Sequence, residues 1–309
     1  MNEKLKTLSE RKGEKMVKVV VVGSSAIDLV VTSKKRPEQG ETIIGESFKT
    51  VPGGKGANQA VAAARLGAEA VFLGCVGEDG FAQDILANLQ ANQVCTKKVE
   101  EVNGIESGTA HITLAEGDNS IIVVKGANDW ITPAYVQKHV DVLKKADVVL
   151  IQQENPEETV DLVVDLCHSW NVPVILNPAP ARKVKQETIE KATYLTPNEH
   201  EANVLFDTTD YRDVLAQYPN KVIVTEGEAG VRYHDGEKEV VALTHQVEVV
   251  DTTGAGDTFN GAFAVALAEG KSLEESLAFS NRAASLSVTK FGAQGGMPTR
   301  DEVERQMVK

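Results

Sequence analysis

The chain has 309 residues, 42% of them hydrophobic and 25% charged, so it can bury a full core without disulfides or a structural metal. Its formal net charge of -13 repels polyanions, so nucleic-acid binding is not expected, although local backbone amides can still hold a small phosphate ligand. Three scattered cysteines without a C-x-x-C pair fit the reduced thiols of a cytoplasm, and no apolar run reaches the roughly 18 residues of a membrane span.

Residues 1–15 carry charges of both signs and lack an apolar h-region, so they read as a tail rather than a signal peptide, ending at Met16. From residue 17 onward the chain reads as one domain to residue 309. The run VKVVVV at 17–22, closed by Gly23, predicts a strand buried on both faces. An Ala-rich helix follows at 57–66 and stops at Gly67. Strands are predicted at 71–75, 148–151, 174–177, 194–196 and 222–225, and helices at 81–92, 133–144, 156–170, 262–267 and 273–290. This alternation implies an α/β fold, a doubly wound and mostly parallel sheet flanked by helices. Ligands of such sheets sit beyond the carboxyl ends of the strands.

Two segments break the rhythm. Residues 41–49 (ETIIGESFK) and 107–124 lack helical period and read as short antiparallel strands. Within the second, Glu116-Gly117-Asp118-Asn119 reads as a hairpin turn. Strands that do not join the parallel sheet are expected to form a small β-sheet lid over the site.

The common phosphate-binding patterns fail. Gly270-Lys271-Ser272 resembles the tail of a P-loop, but Val265 stands where its first glycine belongs. No dinucleotide fingerprint, H-E-x-x-H or G-x-S-x-G occurs. What remains is Asp251-Thr252-Thr253-Gly254-Ala255-Gly256-Asp257-Thr258-Phe259, between a strand-like 246–250 and a helix starting near Gly256. N–H groups at a helix start lack internal partners and lie at a positive dipole end. Gly254, Ala255 and Gly256 would let them close on an anion, while Asp257 beside them could accept the proton of an attacking hydroxyl. A helix cap on a glycine-rich surface loop would look the same. A second cluster, Pro52-Gly53-Gly54-Lys55-Gly56-Ala57-Asn58, also precedes a helix and permits close backbone approach to a polar ligand. Lys55 there reads equally as a phosphate ligand or a solvated loop lysine.

Together the two clusters resemble the paired signatures of the PfkB (ribokinase-like) family of carbohydrate kinases, through Gly53-Gly54-Lys55-Gly56-Ala57-Asn58-Gln59-Ala60 and residues 251–259. Asn177-Pro178-Ala179-Pro180-Ala181, Thr196-Pro197-Asn198-Glu199 and Gly292-Ala293-Gln294 fit in the same order, so the resemblance spans about 17–298. It implies ATP-dependent phosphorylation of a pentose, D-ribose, at O5, with Asp257 as general base and Gly254, Ala255 and Gly256 as anion hole. It implies that Asp28, Gly53, Gly54, Lys55, Asn58 and Glu154 hold the sugar. Asn198, Thr225, Gly227, Gly230, Gly256 and Asn281 would bind ATP, and Glu201 would hold Mg²⁺ through water. Asp251, Thr253, Ser287, Lys290, Gly292 and Gly296 would hold a monovalent cation, K⁺. The family lid also implies a homodimer. One position departs from the pattern: Ala26 stands where ribokinase-type kinases carry an Asn, two residues before Asp28. This leaves 2-deoxyribose, or another small sugar, open as the substrate.

Overall fold

The structure is a computed structural model and describes residues 16–307; the expected tail at 1–15 lies outside the described residues. In chain order the first half comprises β1 (Lys18–Val22), β2 (Ala26–Thr32), β3 (Ser47–Gly53), α1 (Lys55–Arg65), β4 (Glu69–Leu73), β5 (Cys75–Gly77), α2 (Gly80–Ala91), β6 (Glu100–Val102), β7 (Thr109–Ala115), β8 (Asp118–Val124), α3 (Pro133–Lys138) and α4 (Val140–Leu143). The second half comprises β9 (Val148–Gln152), α5 (Glu157–Ser169), β10 (Val174–Asn177), α6 (Gln186–Lys191), β11 (Tyr194–Leu195), α7 (Glu199–Phe206), α8 (Arg212–Leu215), β12 (Val224–Thr225), β13 (Val231–His234), β14 (Glu239–Ala242), α9 (Ala255–Ala268), α10 (Leu273–Ser287), α11 (Ala293–Gly296) and α12 (Arg300–Met307).

Among the described residues, five parallel strands in the order β11-β10-β9-β1-β4 form the central sheet. The valines of β1 are fully buried, as its uninterrupted β-branched run requires of a central strand. One apolar cluster packs α1, α9 and α10 on one face, and a second packs α3 and α5 on the other. The doubly wound α/β expectation therefore holds. Single parallel bridges, Leu195 to Val222 and Asn198 to Thr225, carry the sheet on toward β12 and the antiparallel meander β12-β13-β14.

The lid is a separate four-stranded sheet in the order β3-β2-β7-β8. Its composition corrects the sequence reading. The first lid segment is Ser47–Gly53, not 41–49: residues 41–46 form no strand, and Ile44 of the apolar pair that suggested one is 91% exposed. Its partner Ala26–Thr32 was not foreseen as a strand, and it pairs along its whole length with β3, Ala26 facing Gly53 and Asp28 facing Val51. Pro52 is tolerated because β3 is an edge strand. The hairpin turn is also tighter than expected. Ala115 pairs with Asp118, so the loop is Glu116-Gly117 alone, and both residues adopt left-handed backbone, φ 57° and 76°. That is the two-residue geometry that matches strand twist.

Three further expectations are corrected. Residues 246–250 form no strand; Val250 and Asp251 instead donate to the carbonyl of Val288 beyond α10, at 2.8 and 3.2 Å. The helix expected over 133–144 breaks at His139 into α3 and α4. The helix expected to start near Gly256 and the one read at 262–267 are a single helix, α9, from Ala255 to Ala268.

Candidate active site

The strand ends gather the site. Ser24 lies just past β1, Gln152 and Glu154 close β9, Asn177 closes β10, and Thr196 and Asn198 follow β11. The N-termini of α1 and α9 enter the same space. These helices approach closely because Gly261 has no side chain: a Cβ there would lie 2.6 Å from Cβ of Ala62. The first turn of α1 thereby meets the first turn of α9.

Asp257, in that first turn of α9, is 8% exposed. Asn58 donates to its Oδ2 at 2.9 Å and Gln59 to its Oδ1 at 3.1 Å. Gln59 also donates to Asn177 Oδ1 at 3.1 Å and accepts from Gln152 Nε2 at 2.7 Å. Asn177 donates to the Thr196 carbonyl at 3.0 Å, and Asn260 donates to the Gly256 carbonyl at 2.9 Å. Every partner on this shell is an amide, a hydroxyl or a carbonyl, so the carboxylate is oriented without being neutralised.

Gly254 caps α9 in left-handed backbone at φ 77°, which turns the chain sharply into the helix. Of the three residues expected to line the anion hole, Ala255 has its N–H engaged by the Thr252 carbonyl at 3.2 Å. The following groups, on Gly256 and Asp257, are first-turn N–H groups without intrahelical acceptors. A Cβ on Gly256 would meet nothing within 4 Å, so this residue borders open space.

The first glycine cluster wraps β2. Gly54 has φ 88°, and a Cβ on it would fall 2.6 Å from Cα of Ser25. A Cβ on Gly53 would fall 2.5 Å from Asp28 Oδ1, so the loop holds its backbone against the Asp28 carboxylate. Glu154 accepts from Ser24 Oγ and from the Lys55 N–H, the latter at 3.1 Å. Asp28, Glu154 and Asp257 thus lie near enough for their charges to act on one another. Burial first, then the charges of Glu154 and Asp257, push the Asp28 pKa up to about 6. Burial raises Asp257 as well, against the opposing pull of Lys55, Asn58 and Gln59. Lys55 is no solvated loop lysine. Burial works against its charge, but Asp257, Glu154 and Glu201 outweigh that and raise its pKa.

Asn198 and Glu201 form a capping box on α7: Asn198 Oδ1 accepts from the Glu201 N–H and Glu201 Oε2 from the Asn198 N–H, each at 2.8 Å. Glu201 is 9% exposed, and burial lifts its pKa despite that hydrogen bond and Lys55. Thr225 sits beside Asn198 through the parallel bridge, and Gly227 and Gly230, both of positive φ, bracket the next turn. Asn281 is buried and donates to the carbonyls of Ala242 at 2.8 Å and Leu243 at 3.4 Å, so it fixes the loop after β14.

The residues expected to hold a monovalent cation also converge. Asp251 accepts from the N–H groups of Thr253 at 2.9 Å and Gly292 at 2.8 Å. Burial would raise its pKa, but these bonds hold it below the usual carboxylate range. A Cβ on Gly296 would lie 2.0 Å from the Ser287 carbonyl oxygen and 3.4 Å from that of Lys290. Between this loop and the underside of the lid runs a cleft of 630 Å³, lined among others by Asp28, Val30, Ile112, Asp251 and Phe291. The amides of Gln59, Gln152, Asn177, Asn260 and Gln294 were not assigned roles from sequence. Three of them lie inside recognised motifs, but only the fold shows that Gln59 bonds the Asp257 carboxylate and that Gln152, Asn177 and Gln294 bond in turn to Gln59 or Asn58.

Comparison with known proteins identifies the family. The family model described as pfkB family carbohydrate kinase matches residues 16–300. The chain is 65% identical over 289 residues to a ribokinase of Bacillus subtilis, covering 94% of this chain and 99% of the relative. It is 35% identical over 295 residues to a deoxyribokinase of Salmonella typhi, covering 92% and 96%. The structure of Arabidopsis thaliana ribokinase complexed with ribose and ATP superimposes with a TM-score of 0.86 at 35% identity, covering 94% of this chain and 98% of that one. The chain belongs to the PfkB family of carbohydrate kinases.

Proposed function

We propose that this kinase transfers the γ-phosphoryl group of ATP to O5 of D-ribose, with Asp257 as the general base. The observation that carries the reading is a buried carboxylate, held at both oxygens by side-chain amides, beside the open N–H groups of a helix start. Its raised pKa strengthens it as a proton acceptor. The sugar hydroxyls would be held by Asp28, Asn58, Glu154 and the backbone of Gly53 and Gly54. Lys55 and the N–H groups of Gly256 and Asp257 would meet charge gathering on the transferred phosphoryl. ATP would lie over Asn198, Thr225, Gly227 and Gly230, with its base against the loop fixed by Asn281.

Among the described residues no group of three or more His, Cys, Asp or Glu side chains is placed to hold a metal ion. That suits Mg²⁺, which keeps several waters and needs one or two carboxylates when phosphates supply the rest. Glu201 would hold it, and the ion would neutralise phosphate charge. The Asp251 carboxylate and the carbonyls around Gly296 are oxygen ligands of the kind K⁺ takes. A titration of KCl against NaCl tests that site, and equal rates in both would remove it. The lid exposes Ile121, Ile122 and Val123, with fractional exposures of 52%, 70% and 59%. These support a homodimer formed through the lid. Ile121→Asp is expected to shift the protein to monomer in size-exclusion chromatography, and a wild type that already elutes as a monomer would sink the idea. No helix among the described residues is long and apolar enough to cross a membrane. Three free thiols, Cys75, Cys95 and Cys167, would suit a reducing cytoplasm.

Ala26 favours a second reading. Buried and facing Gly53 at the sugar end of β2, it offers a methyl group where an amide would grip a hydroxyl. An absent hydrogen bond of this kind costs about 1 kcal/mol, roughly a fivefold effect. Rates with ribose, 2-deoxyribose, fructose 6-phosphate and adenosine, with the product identified, decide between the two. A kcat/KM for 2-deoxyribose above that for ribose would replace the first reading by the second.

A further inference from the structure

Asp257 can only accept hydrogen bonds in its ionised form, and this fixes a whole chain of amides behind it. Asn58 must present Nδ2 to the carboxylate, which turns its Oδ1 the other way. There Gln294 Nε2 donates to it at 2.9 Å. Gln294 must then present Oε1 outward, where Asn88 Nδ2 donates at 2.7 Å. Asn88 in turn accepts from Asn92 Nδ2 at 3.4 Å. Reversing any one amide would set donor against donor or acceptor against acceptor along the row. Gln294 and Asn58 are 5% and 6% exposed, so water does not readily replace a lost partner. The row crosses three elements: Asn88 on α2, Gln294 on α11 and Asn58 on α1. Arg65 anchors its middle by donating to the main-chain carbonyls of Gln294 and Met297, the latter at 2.9 Å.

We propose that Gln294 and Asn88 are positioning residues for the phosphoryl transfer, holding the Asn58 amide in the one orientation that presents its N–H to Asp257. The inference rests on the reading of Asp257 as the general base. Neither residue needs to touch a ligand. Gln294 acts through Asn58, and Asn88 acts through Gln294. The segment from Gly292 to Gly296 is thereby tied through Asn58 to the carboxylate in the first turn of α9.

The test is a double-mutant cycle read in steady-state kinetics on the full chain. Gln294→Leu and Asn88→Ala are each expected to lower kcat about fivefold, the worth of one hydrogen bond, with KM for ATP changed less than twofold. In the double variant the second change is expected to add nothing, because Asn88 works only through Gln294. Asn88 is half-exposed, so Asn88→Ala carries the test even where Gln294→Leu fails to fold. Wild-type kcat in Asn88→Ala, or losses that multiply in the double variant, would overturn the proposal. Asp257→Asn is run alongside. If it retains turnover, the general-base reading has failed; if it is inactive while the two amide variants are normal, only the relay has failed.

Discussion

Replacing Asp257 by Asn changes one oxygen to an NH2 group and almost nothing in size. In the wild type both oxygens accept amide donors, from Asn58 and Gln59. The new NH2 must face one of them, leaving a buried donor without an acceptor at a cost of about 1–3 kcal/mol. Working the other way, burial already disfavours the charged form of Asp257, and a neutral amide removes that penalty. The two effects oppose, so the variant is expected to fold, with Tm moved by only a few degrees at roughly 2–4 °C per kcal/mol. Removing the proton acceptor should still lower kcat by about 10²-fold or more. The assay is ADP release at saturating sugar and ATP, with nucleotide affinity measured by calorimetry. Affinity is expected to survive, because the ATP-side residues 198, 225, 227 and 230 are untouched. A variant that folds and turns over within tenfold of wild type would refute the general-base argument.

Asp28 links stability to pH. Its carboxyl keeps a proton in the folded protein up to about pH 6, while the unfolded chain loses it near 3.8, so ligand-free stability is greatest below that window and falls as pH rises through it. Asp28→Asn is expected to flatten this decline, raise Tm at pH 7 and raise the sugar KM roughly tenfold or more; a pH–Tm series that keeps its slope would contradict it. Gly54→Ala is expected to cost several degrees of Tm and most activity, since it combines positive φ with a 2.6 Å approach to Ser25, and an unchanged melting curve would show that the loop yields freely. Glu201→Gln keeps an acceptor for the Asn198 N–H but removes the charge, so Tm should hold while the Mg²⁺ concentration for half-maximal rate rises; an unchanged Mg²⁺ requirement would separate Glu201 from the metal.

Local chemistry made much of this protein legible in one dimension. The valine run of β1 reads as a central strand, and the small residues before α9 mark a helix start, where an anion site and a plain glycine-rich cap look alike. Elements failed where one segment's period was ambiguous. Ala26–Thr32 carries an Asp amid apolar residues, and its strand state depends on pairing with β3 and β7, which lie far along the chain. Residues 246–250 look strand-like by composition, yet they join no ladder, and the Val250 N–H goes to the Val288 carbonyl just past α10.

Composition, periodicity and the two glycine clusters by themselves determined the central sheet and the helix starts and singled out Asp257 as a candidate proton acceptor, because strand burial and helix termini are set by neighbours a few residues away. Only the tertiary structure decided which groups surround that carboxylate. Asn58 and Gln59, Asn177, and Gln294 meet near Asp257 from three different elements, α1, β10 and α11, and a hydrogen bond across 199 residues leaves no trace in local spacing. The shifts of Asp28, Glu201 and Lys55 have the same origin: each depends on burial and on charges brought together by folding, which no window along the chain contains.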